Sequence, residues 1–576
     1  METKQIEKYI DDFTESFMPP QFQWRKGQKE AIIQIILTYF EGKHKAVILD
    51  SPVGSGKSII AMCASWILNK RKKKGYILAS DISLQEQYEF DFQKFNLNWG
   101  SIKGIDNYQC IDNLEKHSLG TCKIRNIAPQ RMNCYPECPY YVARNKASKS
   151  PTSLLNYAYF LIMMNYVNPH LEKEKQIFPK RDFLVCDEGH KVLDIVQNHY
   201  SPRFTSTTVE KIEKLKKFFN LHNIKDHTKA YLNIKENIAA LWDTENQEKM
   251  ADYLKEIEFN LESFFDSINF LKDKIKDEYP KSTPPKKWRE AAFLSDWVKD
   301  FHCKVEDYNK TIDKTSTRNI IKNPAGDEEL VFNCLEENYM MHQYFHKWSD
   351  FTIFMSATFS DPRVYIKTIS LPKAKYIKVN NSFDFTKSPI YFYNKRRMSY
   401  RHIESNLPWL TNKVNEILDK HSKENGIIHT ASYNLTMKIH NQIDKKHKNR
   451  ILVYTGTKEK RKVLEILKRD KSKVLIGPSL LEGLDLKDSW SRFQIFGKIP
   501  YLSLGDRFVK TKMNIDPAWY QWKAIIHVLQ GTGRSVRNEK DWAVTYILDG
   551  SLADLIHNNR KSFPPEFMQR LQIVNE

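Results

Sequence analysis

The segment "KAVILDSPVGSGKSIIAMCASWIL", residues 45–68, limits what this chain can fold into more than any other stretch. A short apolar run, Val47 to Leu49, reads as a buried parallel strand. A glycine-bearing turn follows, then a helical pattern through Ile59, Ile60, Cys63, Ile67 and Leu68. Strand, Gly-rich turn, Lys-Ser and helix in that order make a phosphate-binding loop. The turn Gly54, Ser55 and Gly56 brings backbone N–H groups to the phosphates. Lys57 would reach the β- and γ-phosphates, and the Ser58 hydroxyl would ligate Mg²⁺. The strict pattern has glycine where this chain has Ser51.

Further apolar runs, "GYILAS" (75–80), "DFLVCDEGH" (182–190) and "FTIFMSATF" (351–359), read as buried strands with polar residues at their carboxyl ends. A second series begins near residue 425 with "GIIHTAS", "RILVYTG", "KVLIGPS", "FQIFGKIP" and "AVTYILDG". Helical stretches separate most of them, so two α/β domains with parallel sheets are expected. Residues 198–344 differ: they hold one glycine, Gly326, and many helix formers. Leu254, Ile257, Leu261, Phe264, Ile268 and Leu271 recur at spacings of three and four, which predicts one amphipathic helix within a helical insertion.

Composition narrows the class. The formal net charge of +20 suits a polyanionic partner such as nucleic acid, although a diffusely basic surface gives the same figure. The amino terminus, "METKQIEKYIDDF", has no apolar core of a signal peptide, and no apolar run reaches the ~18 residues that span a bilayer. Eight cysteines in 576 residues do not make a disulfide scaffold. A reducing compartment, cytoplasm or nucleus, is expected. Cys110, Cys122, Cys134 and Cys138, spaced x₁₁, x₁₁ and x₃, read as metal ligands or reactive thiols, with a buried core role as the alternative.

Two adjacent carboxylates, Asp187 and Glu188, end the run at 182–190. They suit metal-assisted phosphoryl transfer to water: Asp187 would hold Mg²⁺ through its water shell, and Glu188 would orient and deprotonate the attacking water. "QGTGRSVR" (530–537) sets Arg534 and Arg537 three apart, on one face of a helix. Arginines from the second α/β domain could meet the γ-phosphate only on domain closure, coupling ATP to movement.

Taken together, these motifs resemble those of the XPD/DinG group of superfamily 2 helicases, in that group's order. "RKGQ" resembles its adenine-reading element through Arg25 and Gln28, and "SPVGSGKS" its phosphate loop. "SDISLQEQ" resembles its first DNA-contacting motif, through Ser83, Gln85 and Gln87. "DEGH", "MSATF" and "QGTGRSVR" with Gln530 are similar to the Asp-Glu, Ser-Ala-Thr and Gln-x-x-Gly-Arg-x-x-Arg elements. "SLLEGLDL" resembles a further element through Glu482, Gly483 and Asp485, and Ser432 and Tyr433 fall where a DNA contact is expected. Two features depart from the pattern: Leu481 replaces the usual aromatic, and Gly550 follows Asp549 where an arginine is common.

The resemblance implies two RecA-like motor domains, at 1–103 with 145–197 and 345–375, and at 376–576. It implies an iron–sulfur domain at 104–144 and a helical arch at 198–344. It implies ATP and Mg²⁺ as cofactors and a [4Fe–4S] cluster on Cys110, Cys122, Cys134 and Cys138, for which spacing alone equally admits zinc. The implied activity is 5′→3′ unwinding by a monomer on single-stranded and forked DNA, in repair, replication or recombination. A translocase that remodels protein–DNA complexes, or a scaffold with a relic ATP site, are the alternatives.

Overall fold

The computed structural model describes residues 1–575 apart from 53, 126, 173–174, 280–283, 311–315, 323–327, 380–384, 455–459, 479, 481–487 and 534–540. The run at 46–50 forms the strand Ala46–Asp50 in a seven-stranded sheet. The order across that sheet is Ala374–Lys378, Ala46–Asp50, Ser349–Ser356, Arg181–Cys186, Gly75–Ala79, Thr152–Asn156 and Gly100–Ile102. Every pairing is parallel. Val47 and Leu49 enter a core shared with the helices Thr3–Phe17, Gln28–Glu41 and Lys57–Lys70, whereas Ala46 and Ile48 enter the core on the opposite face. Burial on both faces is why the sequence reads as an unbroken apolar run and not an alternating one.

The second series gives another all-parallel sheet, ordered Ile451–Val453, Val474–Gly477, Gly426–His429, Phe493–Phe496, Val544–Ile547, Ile390–Tyr393 and Leu571–Val574. The two expected α/β domains are therefore present. One expected boundary moves: the strand Ala374–Lys378 pairs with Ala46–Asp50, so the first sheet runs past residue 375.

Between the strands Arg181–Cys186 and Ser349–Ser356 lie the helices Ser206–Leu221, Thr228–Asp243, Gln247–Glu262, Phe265–Glu278 and Lys286–Asn309. The single helix expected through Leu254 and Leu271 is two helices, interrupted at Ser263 and Phe264. All six apolar residues of the pattern are nonetheless buried. The segment also holds an antiparallel sheet ordered Arg203–Phe204, Glu328–Cys334 and Ser316–Lys322. None of the helices among the described residues is long and apolar enough to cross a membrane.

The helix Pro517–Thr532 carries the second domain onto the first. The Trp522 indole donates to the Phe359 carbonyl (2.8 Å), and Lys523 pairs with Asp194 (2.5 Å). Nearby, Lys367 meets Asp516 (2.7 Å), and the nearly buried pair Lys512–Glu337 closes at 2.8 Å.

Both sheets place a glycine under a phenylalanine of the neighbouring strand. A Cβ on Gly75 would fall 2.1 Å from the Phe183 ring, and one on Gly426 would fall 2.3 Å from the Phe493 ring. Gly426→Ala is expected to destabilise the second domain by about 1–3 kcal/mol through overpacking, lowering its midpoint in a thermal melt. Phe493→Leu added to it should recover part of the loss. A melt identical to wild type for Gly426→Ala would contradict this packing.

Candidate active site and thiol cavity

The phosphate-loop residues leave the carboxyl end of Ala46–Asp50 and enter the helix Lys57–Lys70. Gly54 and Gly56 take φ of +77° and +79°, the left-handed region that favours glycine. A Cβ on Gly56 would also sit 2.4 Å from Gln28 Nε2. Gln28 Nε2 donates to the Ser55 carbonyl (2.6 Å), and its Oε1 accepts from the Arg25 N–H (2.7 Å), so both residues flank the loop. The departure at Ser51 has a local reason: its hydroxyl bonds the Ser55 hydroxyl at 2.6 Å, tying the two ends of the turn. Lys57 curls over the loop and donates to the Ser51 carbonyl (3.4 Å). The Ser58 hydroxyl bonds the carboxylate of Asp91, whose burial pushes its pKa up. The amino terminus of this helix, with Lys57 beside it, borders the loop, and a helix amino terminus favours an anion.

Asp187 and Glu188 follow the strand Arg181–Cys186, two strands from the loop. Asp187 is buried, and its carboxylate accepts from the Tyr88 hydroxyl (2.8 Å) and the Glu188 N–H (2.8 Å). Burial, reinforced by the Glu188 charge and opposed by Lys57 and Tyr88, pushes its pKa up to about 6. Glu188 adopts φ +51°, a left-handed turn that directs its carboxylate to within 3.4 Å of His190 Nδ1.

His190 joins three motifs. The Ser356 hydroxyl donates to the Thr358 carbonyl (3.0 Å), so it accepts from His190 Nδ1 (2.8 Å). His190 Nε2 is then left to accept from the Gln530 amide (2.7 Å), at the end of the helix from the second domain. Gln530 is thus placed against the Asp-Glu motif. Arg534, Arg537, Glu482, Gly483 and Asp485 lie outside the described residues.

The expected nucleic-acid residues divide. Ser83 and Gln87 are exposed on the helix Ile82–Lys94, and Ser432 and Tyr433 are exposed at the carboxyl end of the second sheet, where Ser432 caps a helix. Gln85 is different. It is fully buried, donates to Ser101 Oγ (2.9 Å) and the Ile102 carbonyl (3.0 Å), and accepts from Asn156 (3.2 Å). Its side chain secures the edge of the first sheet and does not face solvent.

Cys110, Cys122, Cys134 and Cys138 are free thiols that line one small cavity, open at its mouth, with Asp112 and His117. Three are buried and Cys134 is half-buried. Burial and the neighbouring thiols push the pKa of Cys134 up; burial likewise raises Cys122, with Lys123 opposing. A Cβ on Gly120 would lie 3.2 Å from Cys110 Sγ, so the backbone closes tightly on that side. His117, absent from the sequence-based set, has its Nε2 3.2 Å from Cys138 Sγ. The cysteine segment is braced by the helix Lys286–Asn309, whose Arg289 pairs with Glu115 (2.9 Å). On the same helix His302, Cys303 and Glu306 bring three potential ligand atoms within 4.8 Å, although Lys310 already pairs with Glu306 (2.8 Å).

A metal-binding Asp187 must be ionised, so the raised pKa sets an acid limb. Mg²⁺-dependent ATP turnover, measured as kcat/KM, should fall about tenfold per pH unit below about pH 6, as Asp187 gains a proton. Tyr88→Phe removes a hydrogen bond that favours the carboxylate and should move this limb to higher pH. An unmoved limb in Tyr88→Phe would detach it from Asp187.

Residues 21–222 match the type III restriction enzyme, res subunit, family, and residues 415–569 match the helicase C-terminal domain family. No curated protein matches the sequence. Among solved structures, the fold is similar to an XPD helicase at 15% identity, covering 96% of this chain and 100% of that chain, with a TM-score of 0.66. It is also similar to S. tokodaii Xpd4 at 14% identity, with coverage of 96% and 100% and a TM-score of 0.58. These two likenesses establish the fold. With a motor family matched on each sheet and the motif series running between them, the chain is an ATP-dependent helicase enzyme whose fold is that of the XPD helicase structures.

Proposed function

We propose that the protein moves 5′→3′ on single-stranded DNA and unwinds forked duplex as a monomer, using ATP. The observation that carries the coupling is the hydrogen-bond chain Gln530–His190–Ser356, which ties the second motor domain to the carboxylate pair and to the Ser-Ala-Thr motif. Lys57 and the loop N–H groups bind the phosphates, Arg25 and Gln28 sit beside the nucleotide base, and Ser58 and Asp187 hold Mg²⁺. When bound, Mg²⁺ offsets the charge on the phosphates. Glu188 orients the attacking water and takes its proton, and Arg534 and Arg537 meet the γ-phosphate on closure. Glu482, Gly483 and Asp485 are assigned to nucleotide binding by the motif they resemble. Ser83, Gln87, Ser432 and Tyr433 contact the strand, with the net charge of +20 supporting a polyanionic partner.

The segment at about 104–144 is proposed as an iron–sulfur domain and that at about 198–344 as the arch, both seated on the first motor domain. The four thiols line one pocket, which is the donor set that a [4Fe–4S] cluster takes. When bound, the cluster would cross-link the segment through four thiolates.

Direction is tested by strand displacement on duplexes carrying one overhang, with Lys57→Ala as the inactive control. Unwinding from a 5′ overhang and little from a 3′ overhang is expected. Preference for the 3′ overhang overturns the direction. ATP-driven movement without displacement from either end would favour a translocase that remodels protein–DNA complexes, and ATP turnover indifferent to DNA would favour a scaffold. Separately, anaerobically purified protein should carry about four irons per chain, and Cys134→Ser should lower that content and weaken unwinding more than ATP turnover. One tightly held zinc in a colourless protein would refute the cluster.

A further inference from the structure

His117 is the polar side chain of the thiol cavity that neither the sequence motifs nor the proposed ligand set explains. It is 1% exposed, and its imidazole is fixed between Tyr140 (centroids 4.7 Å apart) and Tyr141 (5.2 Å). Its backbone N–H is held by the Tyr108 carbonyl (2.9 Å), and the short helical turn His117–Leu119 runs directly into the turn that carries Cys122. The ring therefore has one orientation, with Nε2 3.2 Å from Cys138 Sγ. Its Nδ1 is buried with no hydrogen-bond partner, so the ring's one described polar contact is with a cysteine sulfur. A buried ring held between two tyrosines, spending its one described polar contact on sulfur, is built for that contact.

We infer that His117 is a positioning residue that donates Nε2–H to the Cys138 sulfur and sets the reduction potential of the cluster proposed above. The inference rests on that cluster reading. An N–H···S bond withdraws charge from the thiolate, and it strengthens when the cluster gains negative charge. It therefore favours the form with one more electron, [4Fe–4S]¹⁺ over [4Fe–4S]²⁺, and raises the potential. The Tyr141 hydroxyl serves Cys122, whereas Cys110 and Cys134 have no side-chain donor among the described hydrogen bonds, so the N–H polarisation by His117 falls on the Cys138 corner of the cluster.

The test uses the full-length holoprotein, with dithionite as the electron donor. Each variant is followed by iron content, by the potential at which half the clusters are reduced, and by electron spin echo spectra of ¹⁵N-histidine-labelled protein. In wild type, the reduced cluster should show a weak coupling to one histidine nitrogen. His117→Leu should keep its iron, lose that coupling, and shift the oxidised-to-reduced ratio at a fixed potential about tenfold toward oxidised, equivalent to about 59 mV for one electron. His117→Gln, whose amide nitrogen can take the Nε2 position, should stay near wild type, and His117→Asn, with a shorter reach, should resemble His117→Leu. If His117→Leu loses iron, the order of potentials in His117→Gln and His117→Asn decides instead. Equal potentials in all iron-loaded variants, or no histidine coupling in wild type, overturn the inference. Wild-type protein holding zinc and no iron defeats the cluster reading itself, which is a different failure.

Discussion

His190 is the point on which the rest of the motor depends. Its ring is buried, one nitrogen bonded to Ser356 of the first domain and the other to Gln530 of the second. Neutral imidazole has one donor and one acceptor, and both are spent. The contact therefore has a direction: Gln530 donates to the ring, the ring to Ser356, and Ser356 to the Thr358 carbonyl. A shift of the helix Pro517–Thr532 must be registered at the carboxyl end of Ser349–Ser356, and that strand lies beside the phosphate-loop strand Ala46–Asp50. A nucleotide event and a domain movement thus share one hydrogen-bonded chain.

Around that junction the domain contact is apolar as well as charged: Val509, Trp519, Trp522 and Ile526 share one buried core with Phe354, Phe359 and Tyr365 of the first domain. Lys523–Asp194, Lys367–Asp516 and Lys512–Glu337 cross between the halves, together with the indole hydrogen bond of Trp522. Exposed members of such pairs contribute little to stability. Charged contacts of this kind can be exchanged for hydration as the halves part, whereas the apolar seam through Trp519, Trp522 and Ile526 resists separation. Lys512–Glu337 is the exception, since breaking it would strand two nearly buried charges.

Much of the fold was legible in the residues. Strands buried on both faces are continuous apolar runs, and their carboxyl ends carry the chemistry. What escaped had weak local signals. Ala374–Lys378 carries two lysines at a sheet edge, and Leu571–Val574 is an edge strand with Ile573 exposed, so neither reads as core. The interruption at Ser263 is invisible to periodicity because both helices keep their apolar residues on the buried side. The sheet joining Arg203–Phe204 to Glu328–Cys334 pairs residues more than 120 apart in sequence, beyond any local pattern. At the site, motif matching could not tell that Gln85 points inward. His117 had no signal at all, because its meaning comes from lying beside Cys138, which is 21 residues away.

The ion pair between Arg289 and Glu115 gives the two inserted segments a shared mechanics. Arg289 lies in the first turn of a long helix, and Glu115 lies on the bend that returns the chain from Cys110 toward His117. Glu115 is substantially exposed, so the pair is a tether of modest strength. Load applied to the helix is handed first to this bend, and through it to the corner of the thiol cavity. One exposed ion pair thus ties the thiol cavity to a helix residue 174 positions further along the chain, and a displacement of that helix has a direct route to the sulfurs.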